Sequence, residues 1–371
     1  MEIMRVGVDL AKNVFQVHGV DRHEKAVWRR SLKRRRWLAE LQQQVSPGAE
    51  IGMEACAGAH HWARELGKRG YRVKLMAPQF VKPYVKSNKT DRNDAEAICE
   101  AMSRPAMRFV AIKSVEQQDI QALHRVRSEL VSHRTSKANQ IRGLVGEYGL
   151  IAPVRLAQLR ALIPDWLEDA ENGLTMRFRR LLAGMWHDLR ALDDRVAELD
   201  QEIQILANDS AVAQRLQQLR GVGPITATAL VAALGDGKAF RKGRDFAVSL
   251  GLTPRQRSSG GKAQMLGISK RGDSYLRQLM VHGARAAVRT VGQKQDPLSH
   301  WIRHLSARKH TNVVVVALAN RPPGWPGPWS AMAAITSHSW QRTRCAAKQQ
   351  GGQTDQRLQS HWMMANRSNR R

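Results

Sequence analysis

The sequence predicts an α/β amino-terminal domain, a helical middle segment and a mainly α-helical carboxy-terminal region. Two observations indicate this order. Short apolar segments with the alternation typical of β-strands are concentrated in about the first 112 residues. Longer segments whose apolar residues recur at helical spacing follow them. The chain has 371 residues, of which 42% are hydrophobic, so two or three domains with a sizeable core are expected.

Strand-like segments open the chain. The predicted strands are residues 3–9, 14–20, 26–32, 51–54 and 71–76. A short link at 10–13 would join the first two strands as an antiparallel hairpin. Predicted helices over 34–45 and 59–69 separate the later strands. Three antiparallel strands followed by strand–helix–strand units are typical of an α/β layer fold.

Acidic residues end two of these strands. Asp9 ends the first strand and Glu54 the fourth. Active sites in α/β sheets often lie beyond the carboxyl ends of the strands. After the basic loop at 86–90, Asp91 and Asp94 would share one face of the first turn of a helix. A single fold could therefore gather four carboxylates.

Four ionised carboxylates share a small volume only when cations offset their charge. Magnesium prefers oxygen ligands, and two divalent ions about 3.5–4 Å apart would clamp the attacking and leaving oxygens of a phosphodiester. Each acid also has an ordinary structural explanation. Asp9 fits a turn, Glu54 a solvated strand end, and Asp91 with Asp94 a helix cap followed by a first-turn acid.

The charge balance favours a polyanionic partner. Lys and Arg number 60 against 32 acids, which gives a formal charge of +28 spread along the chain. Nucleic acid is the first candidate and an anionic membrane surface the second. No apolar run approaches the ~20 residues of a membrane-spanning helix, and the first residues do not have the pattern of a signal peptide. The three cysteines form no CxxC pair, so we expect a cytoplasmic, nucleoid-associated protein without a zinc site.

The middle segment, residues 113–215, has two long helical patterns. Apolar residues recur at helical spacing from Ile120 to Val145 and from Leu181 to Leu199, and Pro153 and Pro164 interrupt the region between them. The two helices could form an antiparallel hairpin or pair between subunits. The first carries basic side chains that could contact phosphates or could form an ordinary solvated face: Arg125, Arg127, His133, Arg134, Lys137 and Arg142.

The region 216–320 contains three polar, glycine-rich segments. The first, at 219–230, is similar to half of a helix–hairpin–helix, in which Gly221 and Gly223 would offer backbone N–H groups to a phosphate. The other two combine serines, glycines and cations in loops at 255–262 and 267–273, with the candidate phosphate ligands Arg255, Arg257, Lys262, Lys270 and Arg271. A serine in such a setting is suited to attack on phosphorus and equally suited to holding a phosphate.

Three blocks of the first third resemble a known family. Gly7-Val-Asp-Leu-Ala-Lys12, Gly52-Met-Glu-Ala-Cys-Ala-Gly58 and Lys89-Thr-Asp-Arg-Asn-Asp-Ala95 are similar, in order and spacing, to those of the DEDD insertion-sequence transposases, the RuvC-like recombinases of the one-ten class. The resemblance implies an RNase H-like domain. It also implies that the four acids, Asp9, Glu54, Asp91 and Asp94, bind catalytic magnesium ions. Junction resolvases of the RuvC type share this carboxylate chemistry.

Two later blocks resemble the carboxy-terminal part of the same family. They are Leu252-Thr-Pro-Arg-Gln-Arg-Ser-Ser-Gly-Gly-Lys262 and Ser269-Lys-Arg-Gly-Asp-Ser-Tyr-Leu-Arg277. The resemblance implies a serine nucleophile that becomes linked to DNA. Alignment places it at Ser259, with the neighbouring Ser258 as the alternative.

The family further implies a coiled-coil dimerisation segment, a composite site formed by two subunits, and a structured guide RNA that pairs with donor and target DNA. We therefore expect a magnesium-dependent transposase that acts as a dimer or tetramer. One alternative is a RuvC-like structure-selective nuclease that uses only the carboxylates. The other is a non-catalytic nucleic-acid-binding protein in which the acids are structural.

The final segment, 321–371, differs from the rest of the chain. It contains four of the 13 prolines and four of the 10 tryptophans, and its only acid is Asp355. Deletion of one nucleotide from a hypothetical run of codons for a basic helix would reproduce the sequence from Asn320 to Pro328. The sequence thus favours an out-of-frame tail that could reduce activity, and a genuine Pro/Trp-rich disordered tail is the alternative.

Overall fold

The computed structural model describes residues 2–86, 90–235, 240, 243–292 and 294–320. The chain divides into two compact units, Met1–Gln118 and Asp119–Arg371. The boundary predicted near residue 112 lies shortly before this division. The segments 113–215 and 216–320, which the sequence analysis separates, fall largely within the second unit.

The first unit contains a six-stranded mixed sheet with the order β3-β2-β1-β4-β5-β6. The strands are β1 Arg5–Leu10, β2 Val14–Val20, β3 Ala26–Lys33, β4 Glu50–Glu54, β5 Arg72–Met76 and β6 Phe109–Val110. Strand β2 is antiparallel to both β1 and β3, whereas β1, β4 and β5 are mutually parallel. The carboxyl ends of β1 and β4 therefore lie side by side at one edge of the sheet.

Helices cover both faces of this sheet. They are α1 Trp37–Gln44, α2 Ala59–Lys68, α3 Pro78–Val81 and α4 Asp91–Met102, with a 3₁₀ turn at Lys82–Tyr84. Helices α1 and α2 bury their apolar sides against Val6, Val8 and Phe15. Helix α4 packs on the opposite face, since side chains alternate along a strand and the intervening Gly7 meets Ala95. The predicted α/β amino-terminal part is confirmed, and its RNase H-like class stays a prediction.

The second unit begins with long helices. Helix α5 is Val115–Gly146, which crosses the division, α6 is Leu156–Glu168, and α7 is Met176–Asp209. Arg134 pairs with Asp193 at 3.3 Å, and Lys137 pairs with Asp188 at 2.9 Å. Residue numbers rise along α5 as they fall along α7, so the two helices are antiparallel. The structure thus has the hairpin within one chain; dimerisation through a coiled coil stays a prediction.

Three details of the helix predictions are wrong. Pro164 lies inside α6 rather than between helices. Leu181, expected on the buried stripe of α7, is 59% exposed, whereas its neighbour Leu182 is fully buried. The cap of α4 is Thr90, whose side chain accepts from the Asn93 N–H, so Asp91 is the first helical residue and not the cap.

Within the described residues, the rest of the second unit is a helical core that carries one β-hairpin. Its elements are α8 Ala211–Gln217, α9 Pro224–Leu234, α10 Gly243–Ser249, β7 Pro254–Ser259, β8 Lys262–Ile268, α11 Ser274–Arg289, α12 Pro297–Ser306 and α13 Thr311–Ala319. The helices bury a common apolar core. Strands β7 and β8 pair antiparallel. The segment 255–262, predicted as a loop, is therefore mostly part of this hairpin.

The out-of-frame tail predicted after Asn320 lies outside the described residues. Among the helices of the described ranges, none has the length and apolar character needed to cross a membrane.

Candidate metal centre and serine hairpin

Helix α4 lies unusually close to the sheet because glycine occupies the strand position beneath it. A Cβ built on Gly7 would lie 2.2 Å from the Ala95 carbonyl oxygen and 2.6 Å from the Cys99 nitrogen. On the next strand, a Cβ on Gly52 would lie 2.8 Å from Met102 Sδ. Each glycine precedes a candidate acid by two residues and so shares its face of the sheet. Both glycines belong to the motifs that resemble the transposase family, but their role in helix packing was not predicted. The Gly-x-acid spacing at the ends of two strands is the signal that could have revealed it.

The close approach brings three carboxylates together. Asp9 lies near the end of β1, and Asp91 and Asp94 lie in the first turn of α4. One oxygen from each of these three side chains lies within 4.8 Å of the other two. Asp91 is exposed, and Asp9 and Asp94 are half-buried, so the cluster is accessible from solvent.

Glu54 is placed at the carboxyl end of β4, beside β1, but it is not part of this three-residue group. Burial, with smaller contributions from the charges of Glu54 and Asp9, raises the pKa of the Cys56 thiol. Both carboxylates therefore lie near the Cys56 sulfur. The structure gathers three of the four predicted acids and places the fourth at the neighbouring strand end.

Three carboxylate oxygens this close repel one another in the absence of a counter-ion. They form a hard, oxygen-only donor set at a helix amino terminus, and this donor set suits a divalent cation such as magnesium. The helix dipole lowers the cost of the two acids on α4. The side chains of Asp9, Asp91 and Asp94 therefore fit a divalent metal ion.

The β-hairpin is built around its glycines. Gly260 and Gly261 form the two-residue turn between β7 and β8, with φ values of +55° and +77°. A type I′ hairpin turn requires positive φ at both central positions, which glycine adopts without steric cost. The glycine pair thus sets the register that places Ser259 opposite Lys262.

This register separates the two candidate serines. Ser259 shares a face of the hairpin with Arg257 and with its cross-strand partner Lys262. Ser258 points to the other face, where Gln256 Nε2 donates to its Oγ at 2.7 Å and Ala263 lies opposite. Every residue of β7 is exposed. The cationic face of the hairpin therefore carries Ser259.

The remaining cations of this region are also exposed. Arg255 lies on β7 beside a register irregularity, and Lys270 and Arg271 lie in the turn that precedes α11. Lys270 has a φ of +56°, which is rare for a residue with a side chain. Its N–H donates to the Gly251 carbonyl at 3.0 Å, and this contact helps hold the turn in place.

The two glycines of the turn before α9 differ in their surroundings: Gly221 packs against α11, whereas Gly223 is open to solvent. Gly221 has a φ of +86°, and a Cβ there would lie 2.2 Å from the Gly283 carbonyl oxygen on α11. Gly223 is exposed, caps α9 and has open space around it, and Pro224 follows as the first helical residue. Only Gly223 presents a free approach to the helix amino terminus.

Most cations predicted to contact phosphate on α5 have partners within the chain. Arg127, Arg134 and Lys137 pair with acids of α7. Arg142 donates to the carbonyls of Pro153 and Val154. The three ion pairs stabilise the α5–α7 hairpin, and the Arg142 contacts hold the segment that follows α5.

The fold and this site define an α/β protein with a candidate carboxylate metal centre and a separate helical unit that displays a cationic serine hairpin. Comparison with protein families gives two matches. Residues 6–149 match a family described as a transposase of the DEDD type. Residues 213–298 match the transposase family IS116/IS110/IS902.

Curated transposases are similar in sequence to this protein over most of its length. A probable family 20 transposase of Pseudomonas aeruginosa is 51% identical over 322 residues, which cover 86% of this chain and 95% of that protein. The transposase for insertion sequence element IS1111A of Coxiella burnetii is 43% identical, covering 86% and 87%. The transposase for IS1328 of Yersinia enterocolitica is 41% identical, covering 85% and 93%.

The chain therefore belongs to the IS116/IS110/IS902 family of insertion-sequence transposases. Membership implies an enzyme that cleaves and recombines DNA and has DNA as its partner. The DEDD family also suggests the use of a divalent metal, in agreement with the carboxylate cluster.

Proposed function

We propose that the protein is a magnesium-dependent DNA recombinase of RuvC-like architecture that combines a carboxylate centre with a serine nucleophile. The observation that carries the proposal is the convergence of Asp9 from a strand with Asp91 and Asp94 from the helix packed on it. Glu54 is the fourth acid, contributed by the neighbouring parallel strand. The sheet order, with β2 alone reversed among its first five strands, supports the RNase H-like class.

The acids and the serine have different tasks. Asp9, Asp91, Asp94 and Glu54 hold two magnesium ions and fix their positions on a rigid strand–helix pair. Bound there, the ions supply Lewis-acid stabilisation of charge on the scissile phosphate. Because the helix rests on Gly7 and Gly52, the carboxylates are held in place before substrate binds.

Ser259 is the proposed nucleophile, and its position on the cationic face of the hairpin supports this role over Ser258. Its Oγ forms a bond to phosphorus as one sugar–phosphate ester bond breaks. The serine hydroxyl loses its proton, and the departing sugar oxygen takes one up. One phosphoester replaces another, so the strand can later be rejoined without an external energy source. Arg257 and Lys262 stabilise charge on the phosphate oxygens.

The acids and the serine belong to different compact units. We infer that they meet in a composite site to which two subunits contribute, and that the α5–α7 hairpin takes part in that assembly. A structured RNA from the ends of the element, which the family resemblance implies, is the proposed guide, and the formal charge of +28 is compatible with binding RNA and DNA together.

The tail remains a proposal of its own. Alignments with the three relatives cover 85–86% of this chain, which leaves outside them about as many residues as the segment 321–371 holds. This length agrees equally with an out-of-frame tail and with a genuine Pro/Trp-rich tail. Sequencing the gene for a helical segment in the neighbouring frame tests the out-of-frame proposal.

The central experiment is covalent capture. The protein is mixed with DNA from the element ends, RNA from the flanking region and magnesium, and a denaturation-resistant protein–DNA adduct is measured. We expect the adduct with the parent and with Ser258→Ala, and none with Ser259→Ala or Asp91→Asn. Ser258→Ala is the matched control, because it removes the same atom from the opposite face.

Other outcomes would contradict the proposal in defined ways. Free nicked DNA from both the parent and Ser259→Ala would indicate a carboxylate-only nuclease. Loss of the adduct in Ser258→Ala alone would move the nucleophile to that residue. If the parent forms neither adduct nor nick, a version with the reading frame restored after Asn320 separates a disabled enzyme from a binding protein.

A further inference from the structure

A second charged cluster lies on α4, on the side of the helix that faces β2 and β3. Glu96 is at its centre. Arg29 Nη2 lies 3.4 Å from the Glu96 carboxylate, Lys86 Nζ lies 3.8 Å from it, and His18 Nδ1 lies 3.9 Å from it. Three long contacts converge on one acid, and none has the length of a strong ion pair.

This cluster and the metal centre share one face of the sheet. His18 and Arg29 are cross-strand partners, so their side chains point the same way. His18 is also the partner of Gly7, on which α4 rests, and Asp9 follows Gly7 by two residues on the same strand face. The cluster therefore adjoins the acids, on the β2 side of the helix.

The charges in the cluster do not balance. One carboxylate, that of Glu96, faces the cations Arg29 and Lys86, whose side chains are 42% and 71% exposed. The buried His18 lies among them, and its Nδ1 has no hydrogen-bond partner within the described part of the chain. Burial, and then the positive charges of Arg29, Arg92 and Lys86, lower the pKa of His18 in spite of Glu96. The cluster therefore has an excess of positive charge.

The spacing along α4 suits a nucleic-acid strand. Glu96 follows Asp91 by five residues, which is a rise of about 7.5 Å along a helix and a turn of about 140° around it. The cluster is therefore displaced from the acids toward β2, where His18 pairs with Gly7, two residues before Asp9. Phosphates in one strand of duplex DNA follow each other at a rise of about 3.4 Å, so a strand that passes the acids and continues toward β2 brings another of its phosphates within reach of this cluster.

We propose that Arg29 and Lys86 bind a backbone phosphate of the same DNA strand that enters the acid site, and that Glu96 occupies the phosphate position when no DNA is bound. The inference rests on the proposed function only in that DNA lies over the acids. It gives Glu96 the role of an internal competitor. Removal of the Glu96 charge must then raise the affinity for DNA, whereas removal of the Arg29 or Lys86 charge must lower it.

The test is binding of a short fluorescein-labelled DNA duplex, measured by anisotropy over a series of salt concentrations with EDTA present, so that no strand is cut. We expect Arg29→Gln and Lys86→Gln each to lower the affinity several-fold and to reduce the salt slope by about 0.9. Glu96→Gln should raise the affinity several-fold. Glutamine keeps the length of the Glu96 side chain and removes its charge.

Matched controls come from α2 of the same unit. Glu65 pairs with Lys68 at 2.8 Å and with Arg69 at 2.9 Å on the helix surface. Arg69→Gln and Glu65→Gln change the net charge by the same amounts outside the cluster. If the cluster variants and these controls shift affinity equally, the effect is only long-range charge and the inference is overturned.

The proposed function and this inference can fail separately. A parent that binds no DNA overturns both. A parent that binds DNA, with Arg29→Gln behaving as Arg69→Gln does, overturns the inference alone. Loss of the covalent adduct in Asp91→Asn with DNA binding unchanged supports the acid site independently of the cluster.

Discussion

The Ala95 carbonyl oxygen occupies the space into which a side chain at Gly7 would project: a Cβ on Gly7 would lie 2.2 Å from it. This contact joins the middle of β1 to α4 and so fixes the distance between Asp9 and the two acids of the helix. Since the obstructing atoms are backbone, they cannot yield by a change of rotamer. The geometry of the acid cluster thus depends on Gly7, a residue without a side chain.

Gly7→Ala should therefore disturb the geometry of the candidate metal centre although no acidic residue is replaced. We expect a loss of about 1–3 kcal/mol in the free energy of unfolding, as for overpacked cores, with weaker binding of divalent cations. Gly67→Ala on α2 is the control, because that position has open space and alanine favours helix by about 0.5–1 kcal/mol. Thermal unfolding with and without Mn²⁺ measures both effects. Equal stability of the two variants would show that α4 can move away freely.

The carboxylate cluster predicts that a divalent cation stabilises the protein. Binding to the folded state alone adds about 2.7 kcal/mol when the free cation is 100 times its Kd. Asp91→Asn should remove most of this gain. It should also raise the melting temperature in EDTA, because it relieves repulsion among Asp9, Asp91 and Asp94. Glu2→Gln is the charge-matched control in the same unit, and if it responded as Asp91→Asn does, the cluster would not be the site.

Lys270 combines a strained backbone with an exposed cation. A left-handed conformation costs a residue with a side chain about 1–2 kcal/mol, and glycine avoids this cost. We expect Lys270→Gly to keep or raise the melting temperature while it reduces the salt slope of DNA binding by about 0.9. Lys270→Ala keeps the strain and loses the same charge. It should match the glycine variant in DNA binding and be about 1 kcal/mol less stable.

His124 predicts a pH dependence of stability in the second unit. Its Nε2 lies 2.9 Å from Thr228 Oγ1 and its Nδ1 lies 3.0 Å from the Tyr275 hydroxyl, and the residue is 3% exposed. Thr228 Oγ1 also lies 2.9 Å from the Pro224 carbonyl, to which it donates, so it accepts from Nε2–H, and the tyrosine then donates to Nδ1. This arrangement holds a neutral imidazole.

Burial lowers the pKa of His124 from 6.5 to about 4. Below pH 6.5 the unfolded chain binds a proton that the folded chain excludes, so stability decreases as the pH is lowered from 6.5 to about 4. A tenfold difference between the acid constants of the folded and unfolded states corresponds to about 1.4 kcal/mol. His124→Gln should flatten this part of the stability profile, measured by denaturant unfolding from pH 7 to pH 4. Glu65, whose Lys68 and Arg69 partners lower its pKa to about 2, loses its contribution only below about pH 4.5.

Much of the α/β unit could be predicted from local pattern. Alternating apolar residues located the first five strands, and apolar residues at helical spacing located α1 and α2. Burial of one strand face and of one helix stripe imposes those two periods. The sequence could not predict β6, a two-residue strand that forms only by pairing with β5. It predicted the serine segment as a loop, because an exposed polar strand has no apolar alternation and is defined only by pairing with its partner strand.

The sequence by itself determined the candidate residues: the acids at strand ends and at a helix start, the adjacent serines beside paired glycines, and the excess of cations. Tertiary structure decided which of them lie together. Three acids converge because α4 can rest on Gly7, and Glu54 stands on the neighbouring strand. Ser259 lies with the cations and Ser258 away from them because cross-strand register, set by the turn at Gly260, assigns each residue to one face. Packing distance and strand register are long-range properties, and no local pattern encodes them.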